Sequence, residues 1–430
     1  MLGWSKAHLR LHPEDVDSPC PKSGGKRRPK TDRKPSSPRP RPPKRGPCIH
    51  RGPTKGTVKA SCCGTVEVFD CAKLEREVWA TKCRSCKEYA EPKIKRAVVM
   101  AWGDKKAATR HVLTSLPKLG YTVEKIQRGD GEWKDHTIQS LRANPPDLYI
   151  GWQRLHPGWG KEVKAVLDEL KIPQLYMDFG VWPHYESTIF DTRGDNADST
   201  VPGNLDAFEL TPEMSWLADK EADNLASMRR GIELGAQRVD ADPTSYGVDD
   251  IPDDFILTVL QKTGDSVTKH DAAPPWTKPR GVMDMAIAEA TAAKRFTVIK
   301  THPFDTKLKV VNERSDYHRV FHAPHVDNEG LLAWMIVHCK HVILVNSTVT
   351  FTAMAAGKPV VTLGHGWYSG NGVTAENLTM KQAMVATITV DAGRIERFLL
   401  HMLSRCRYTD TLKDPDVLRE VLNHHLSLGV

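Results

Sequence analysis

Cysteine spacing supplies the first chemical signal. Six of the nine cysteines fall between residues 48 and 86. Their order is Cys48-x-His50, then Cys62-Cys63, then Cys71, then Cys83-x-x-Cys86. The Cys83/Cys86 knuckle can set two thiolates on one metal, and a second pair can come from Cys48, His50, Cys62, Cys63 or Cys71. The N-terminus lacks an apolar signal-peptide core, so clustered cysteines suggest metal before disulfides. One structural Zn is therefore expected. The segment has little core of its own, so the metal would contribute its folding energy.

A second signal lies at 342–357. The apolar run VILVN ends at Asn346, and Ser347 and Thr348 then open a helix. Free backbone N–H groups at a helix start favour an anion. Ala353, Ala355, Ala356 and Gly357 let that helix pack closely on its sheet. Lys300 and His302 stand at the end of the strand 296–302 and can supply charge. Asp178 stands near the end of the strand 172–180, where a carboxylate can act as base or nucleophile.

The elements that must position these groups alternate. Strands are expected at 94–102, 146–152, 172–180, 253–261, 296–302, 341–346 and 358–364. Helices are expected at 104–120, 161–171, 212–235, 283–295, 328–340 and 347–357, with 394–430 mainly helical. Strands alternating with helices imply parallel βαβ units. The reading is an α/β chain with two Rossmann-like halves in series, whose ligand sits in the crevice at the carboxyl ends of the strands. Five segments follow: a disordered basic arm at 1–47, a zinc module at 48–90, a first Rossmann-like domain at 91–250, a second at 251–395, and C-terminal helices at 396–430.

Charge is unevenly spread over the 430 residues. The net charge is +8, yet residues 22–45 hold eleven Lys or Arg against one acid, Asp32, and the rest is near neutral. Such a stretch cannot bury enough apolar surface to offset ordering entropy. Lys26, Arg27, Arg28, Lys30, Arg39, Arg41, Lys44 and Arg45 are its candidate phosphate contacts, with salt-dependent, sequence-independent affinity for double-stranded DNA. No run of about 18 apolar residues exists, so no membrane span is expected. A cytoplasmic protein is the reading (the host cytoplasm, if phage-encoded).

The string NST-helix-GKPVVTLG-Y-G-T at 346–374 resembles the C-terminal half of capsule-polysaccharide-type glycosyltransferases, including the bacterial Kdo transferases. VIKTHP (298–303) resembles that family's strand-end K-HP element, and LQKTGD (260–265) its first nucleotide-domain strand. YMDFGVWPHYESTIFDTRGDNADST (176–200) resembles an acidic-x-Gly-x-x-Pro element followed by Asp-x-x-Gly-x-Asn. The resemblance covers roughly 95–395. It implies the GT-B fold, two Rossmann domains facing a cleft, and a nucleotide-sugar donor (UDP- or CMP-sugar) used without a catalytic metal. It places Gln261, Asp265, Lys300, His302, Asn346, Ser347, Thr348, Gly357, Lys358, Gly364 and Tyr368 at the donor. Asp178 falls at the family's acidic position and is the preferred base. Asp191 in the second element stands close behind, and His184 is a third candidate. Many GT-B enzymes bind ribose with a Glu in the helix after the phosphate loop. Here that place carries Thr352. The cysteine pattern is similar to modules that precede glycosyltransferase-like domains in phage-type proteins.

Arm and zinc module together suggest a polyanionic acceptor. The leading expectation is transfer of a sugar onto a hydroxylated base of DNA such as 5-hydroxymethylcytosine, flipped into the cleft. Trp102, Trp152, Trp159, Trp182 and Trp367 are available to stack on it. One alternative is a capsule or surface-polysaccharide transferase handling a Kdo-like sugar. Another is a non-catalytic, zinc-dependent nucleic-acid-binding protein. Metal analysis of the whole chain should find zinc that Cys83→Ser releases; unchanged zinc content would remove the metal assignment.

Overall fold

The computed structural model describes residues 57–60, 64–67, 95–101, 106–127, 133–153, 155, 160–207, 215–310, 312–322 and 327–426. The chain divides into two compact units, one of Arg10–Lys93 and one that holds Ile94–Val430. In the first unit, β1 (Thr57–Ala60) and β2 (Gly64–Glu67) pair antiparallel. The candidate zinc ligands Cys48, His50, Cys62, Cys63, Cys71, Cys83 and Cys86 lie outside the described residues, as do the eight arm cations.

The second unit opens with an alternation of strand and helix. In chain order these are β3 (Lys95–Ala101), α1 (Ala107–Ser115), β4 (Tyr121–Gln127), α2 (Trp133–Ala143), β5 (Leu148–Trp152), α3 (Lys161–Glu169), β6 (Gln174–Phe179) and β7 (Ser187–Asp191). A long helix, α4 (Ser215–Asp240), leads to the second alternation. That begins with β8 (Ile256–Val259), α5 (Ser266–Asp271), α6 (Pro279–Ala293) and β9 (Thr297–Lys300). It continues with β10 (Glu313–Arg314), β11 (His318–Phe321), α7 (Asn328–His338), β12 (His341–Leu344) and α8 (Val349–Ala355). It ends with β13 (Val360–Thr362), β14 (Ala375–Glu376) and α9 (Met380–Val385). Last come α10 (Ala392–Ser404), β15 (Cys406–Tyr408) and α11 (Pro415–Leu426).

Two sheets result. The first runs β15-β7-β6-β5-β3-β4 and the second β10-β11-β9-β8-β12-β13-β14. Pairings are parallel except β6–β7, β7–β15 and β10–β11. The α/β expectation with two mainly parallel sheets therefore holds. Central strands such as β5, β8, β9, β12 and β13 are buried along their whole length, as strands covered by helices on both faces must be.

Side chains alternate between faces with period two. Val99, Ile150 and Met177 pack on one face of the first sheet with α1 and the C-terminal residues Leu418 and Leu422. Val98, Tyr149 and Tyr176 pack on the other with Val163 and Leu167 of α3. The second sheet repeats the device. Ile256, Ile299 and Ile343 meet α6 and α9, while Leu257, Val298 and Val342 meet α4, α7 and α10. Gly235 of α4 permits the closest approach to α7, because a Cβ there would stand 2.9 Å from the Ala333 Cβ.

The sequence pattern missed β1, β2, β4, β7, β10, β11, β14, β15, α2, α5 and α9. The short edge strands carry too few residues to show a period. The C-terminal stretch is mainly helical, as expected, but it also contributes a strand. After α10 the chain crosses back, adds β15 to the edge of the first sheet beside β7, and buries α11 in the first sheet's core. Arg405 fixes this return. Its guanidinium pairs with Asp191, which is fully buried at the end of β7. The other Asp191 contacts are the N–H groups of Arg193, Gly194 and Thr200 and the Thr200 hydroxyl. Removing one partner of such a pair strands a buried charge and costs about 3–5 kcal/mol. Asp191→Ala should lower the urea midpoint by an equivalent amount with the fold's ligand affinity retained. A wild-type midpoint would refute the strut.

Candidate functional site

Both sheets aim the carboxyl ends of their strands at one cavity of about 270 Å³. From the first sheet it receives Gln153 after β5, Asp178 and Phe179 of β6, then His184, Tyr185 and Asn196. From the second it receives Gln261 after β8, Asp265, Lys300 through Pro303 after β9, Asn328 of α7, and Asn346 through Val349 after β12. Gathering strand ends at one crevice is the general rule for open α/β sheets. The size falls near the lower end of small-ligand sites.

Lys300 is the unusual group. It is 3% exposed, and its amine donates to the Thr301 carbonyl at 3.1 Å. Burial alone pushes it down to about 8. Among the described residues no carboxylate pairs with it, and an amine so taken from water is poised to accept an anion. His302 differs from its expected cationic role. Its Nδ1 accepts the Phe304 N–H at 3.1 Å, and burial, with Lys262 and Lys300 nearby, pushes the ring down to about 4. The neutral imidazole therefore offers Nε2–H as a hydrogen-bond donor.

Asp178 faces these groups from the other sheet. Its Oδ1 accepts the Phe179 N–H at 2.8 Å and the Gln153 amide at 3.4 Å. Burial pushes its carboxyl up to about 6, opposed by those donors, by Lys106 and by a hydrogen bond with Asp195. Two carboxyls in hydrogen-bond contact share a proton. Lys106 sits over the rings of Phe179 (4.0 Å) and Trp152 (5.1 Å), and its own amine is lowered by burial. Gln153 and Asn196 both hold positive φ, +60° and +50°. Left-handed backbone at two non-glycine residues lining one cavity marks a locally strained site.

His184 donates Nδ1–H to the Gly180 carbonyl at 2.7 Å, and burial lowers its ring. Its Nε2 is left as an acceptor on the cavity wall. Gln261 accepts the Asn346 N–H at 3.1 Å, and the Asn346 amide donates to Val267 O at 3.2 Å. Asp265 caps α5 through the Val267 N–H at 2.9 Å, and burial raises its carboxyl. Ser347 Oγ accepts the Val349 N–H at 3.3 Å. These contacts hold the cavity floor rigid.

The site gathers Asp178, His184, Gln261, Asp265, Lys300, His302, Asn346, Ser347 and Thr348. Asp191 is not among them, because its oxygens are consumed by Arg405 and the turn that follows. Gly357 and Lys358 lie at the opposite end of α8, where Gly357 takes φ +70° to close the helix and Lys358 donates to Cys339 O at 3.0 Å. Gly364 and Tyr368 are packed behind the cavity wall. A Cβ on Gly364 would meet Val345 at 3.0 Å, and Tyr368 is fully buried with its phenol raised by burial. Trp367 lines the cavity and Trp152 packs edge-on to Phe179.

Sequence reasoning missed Asn196, Lys106, Gln153, Asp195 and Asn328. Asp195 lay inside the quoted Asp-x-x-Gly-x-Asn element as an unassigned position. Asn328 carried no signal: its buried amide oxygen, on the cavity wall, has no hydrogen-bond partner among the described residues. An unsatisfied buried acceptor there fits a ligand hydroxyl or N–H.

Residues 226–404 match the family model described as capsule polysaccharide biosynthesis protein. That stretch contains every strand of the second sheet. No curated protein matches the chain. Among solved structures, the beta Kdo 2,7 transferase of Thermosulfurimonas dismutans KpsC is 13% identical with a TM-score of 0.44, covering 76% of this chain and 100% of that one. The beta Kdo 2,4 transferase of the same protein is 16% identical with a TM-score of 0.44, covering 75% and 97%. The Methanocaldococcus jannaschii UDP-GlcNAc 2-epimerase in complex with UDP-GlcNAc and UDP is 9% identical with a TM-score of 0.31, covering 77% and 99%. The family match supports a glycosyltransferase over a non-catalytic nucleic-acid-binding scaffold.

Proposed function

We propose that the protein is a GT-B glycosyltransferase that moves a sugar from a nucleotide-sugar donor onto a surface polysaccharide of the capsule kind. One observation carries this reading. A buried lysine with no ion-pair partner among the described residues and a carboxyl raised toward neutrality line one cavity from opposite sheets. The family match on the second half favours glycan over DNA as acceptor. The expectation of a hydroxylated DNA base rested on the arm cations and the clustered cysteines, which lie outside the described residues, and no comparison supports it.

The chemistry follows from the charges. As the bond from the sugar's anomeric carbon to the donor phosphate breaks, its electron pair passes to the phosphate oxygen. The Lys300 ammonium, the His302 Nε2–H and the backbone N–H groups around Ser347 and Thr348 stabilise that charge where water is excluded. An acceptor hydroxyl attacks the anomeric carbon and gives its proton to Asp178, which must be ionised beforehand. Asp195 tunes that ionisation, and Gln153 and Phe179 N–H fix the carboxylate's direction. Gln261, Asn346 and Asn328 stand where the rest of the nucleotide would lie.

Calorimetry with a panel of UDP- and CMP-sugars should show binding that Lys300→Ala weakens by about 1.5–3 kcal/mol, the scale of a hydrogen bond to a charged group. Asp178→Asn should leave that binding near wild type while cutting turnover by roughly 100-fold or more. Full turnover would remove Asp178 from the mechanism. The pH profile of kcat/KM should be bell-shaped. It rises through about 6 as Asp178 loses its proton, then falls above about 8 as Lys300 loses its charge. A profile flat across that range would contradict both assignments.

A further inference from the structure

Lys106 stands beside the donor cavity in a setting unusual for a lysine. It opens α1 with extended backbone, φ −83° and ψ 115°, and its carbonyl accepts the Arg110 N–H at 3.2 Å. Its side chain takes no part in capping that helix. The amine instead lies 4.0 Å from the centre of the Phe179 ring and 5.1 Å from that of Trp152. A lysine that only packs lays its stem on apolar surface and sends its ammonium to water. Here the ammonium itself occupies the ring faces.

The seat is fixed by its neighbours. Trp152 meets the Phe179 ring edge-on at 5.2 Å and 79°, and Tyr185 does so at 4.8 Å and 77°. The Phe179 N–H also donates to Asp178 Oδ1 at 2.8 Å. One residue thus seats the cation with its ring and aims the carboxylate with its backbone. Burial lowers the Lys106 amine, and the Asp178 charge and the two π faces offset that loss. Burial raises the Asp178 carboxyl, and the groups opposing it are the Phe179 N–H, the Gln153 amide, Lys106 and Asp195. Of these four, Lys106 acts through a full charge and the others through hydrogen bonds. The remaining titratable groups on the cavity wall are His184, Tyr185, Asp265, Lys300 and His302. Behind burial, the Lys106 charge also helps keep the His184 ring neutral.

We infer that Lys106 is a positioning residue for the transfer: its ammonium, seated on Phe179 and Trp152, holds Asp178 ionised and ready for the proton of the acceptor hydroxyl. The inference rests on the glycosyltransferase reading for its catalytic consequence, and adds the group that readies the base. Lys106 forms no bond to substrate in this role. The proton passes from the hydroxyl oxygen to the Asp178 carboxylate, and the ammonium stays charged throughout.

Carbon-13 NMR of the aspartate carboxyls in the full chain tests it without any substrate, with Asp178→Asn and Asp195→Asn assigning the two resonances. Lys106→Met removes the charge and keeps an apolar chain on the rings, and Lys106→Gln is a second neutral variant. Each should raise the lower midpoint of the Asp178–Asp195 pair by about one pH unit, because a nearby opposite charge favours the ionised form. Lys106→Arg, which keeps charge and ring contact, should return it to within about half a unit of wild type. Urea midpoints confirm that the variants fold. In turnover, the acid limb of kcat/KM should rise by the same amount in the neutral variants, a loss of about tenfold on the acid side of the limb. Donor affinity by calorimetry should stay near wild type. A midpoint or acid limb unmoved in both neutral variants overturns the inference. So does a midpoint that Lys106→Arg raises as far as Lys106→Met does, or a donor affinity lost with the charge while the midpoint stays put. An unmoved midpoint in an active enzyme sinks the role of Lys106 alone, whereas a wild-type chain that binds no nucleotide sugar sinks the function itself.

Discussion

The site depends on one interaction, the docking of the segment after β7 onto the loops after β13. Neither sheet contains a complete site. Asp178 belongs to one and Lys300 to the other, and they share a cavity only while the halves are held together. Asn196 donates to Asp271 across the gap at 3.0 Å. Leu205 N–H reaches the Asn371 side chain at 3.0 Å, whose amide donates to Val201 O at 3.2 Å. Gly203 N–H reaches Ser369 O at 2.9 Å. Val181, Ile189, Val201 and Leu205 join the core of the second sheet. The apolar contact supplies most of the holding energy, since each fully buried side chain of this size is worth about 1.5–3 kcal/mol. The hydrogen bonds set the register.

The same docking explains the division of labour among the acids. Asp191 and Asp195 sit four residues apart, yet they serve different ends. Asp191 is spent on the turn and on Arg405, and so secures the returning C-terminal segment. Asp195 is hydrogen-bonded to Asp178 and so bears on its proton. Burial produces the electrostatic contrast inside the cavity. It raises a carboxyl on one side and lowers an amine on the other, so both groups change charge within two units of neutral pH. Paired groups pushed toward neutrality from opposite directions are what acid–base chemistry near pH 7 requires.

Much of this was legible in the residues themselves. Apolar runs such as VILVN and IPQLYMDF have the length and β-branched or aromatic content of buried strands, and they alternate with amphipathic stretches. The α/β class and the placement of Asp178, Lys300 and Ser347 at strand ends follow from that pattern alone. Once strands are parallel, their carboxyl ends share a side, which is why residues 178, 300 and 347 could be assigned to one crevice without a structure.

What tertiary structure decided is which polar groups are already satisfied. A sequence shows that Asp191, Gly357, Lys358 and Tyr368 have suitable types near suitable strands. It does not show that Arg405, distant in the chain, claims Asp191, or that Lys358 is tied to the carbonyl of Cys339. Nor does it show the ionisation of His302, which depends on how much water the fold removes. β15 and α11 illustrate the same limit. Their short apolar patterns fit any helix or edge strand, and only the open edge of β7 and the uncovered face of the first sheet give them a place. Periodicity is a local property and was readable; partnership and burial are set by contacts between distant residues and became fixed only when the chain closed on itself.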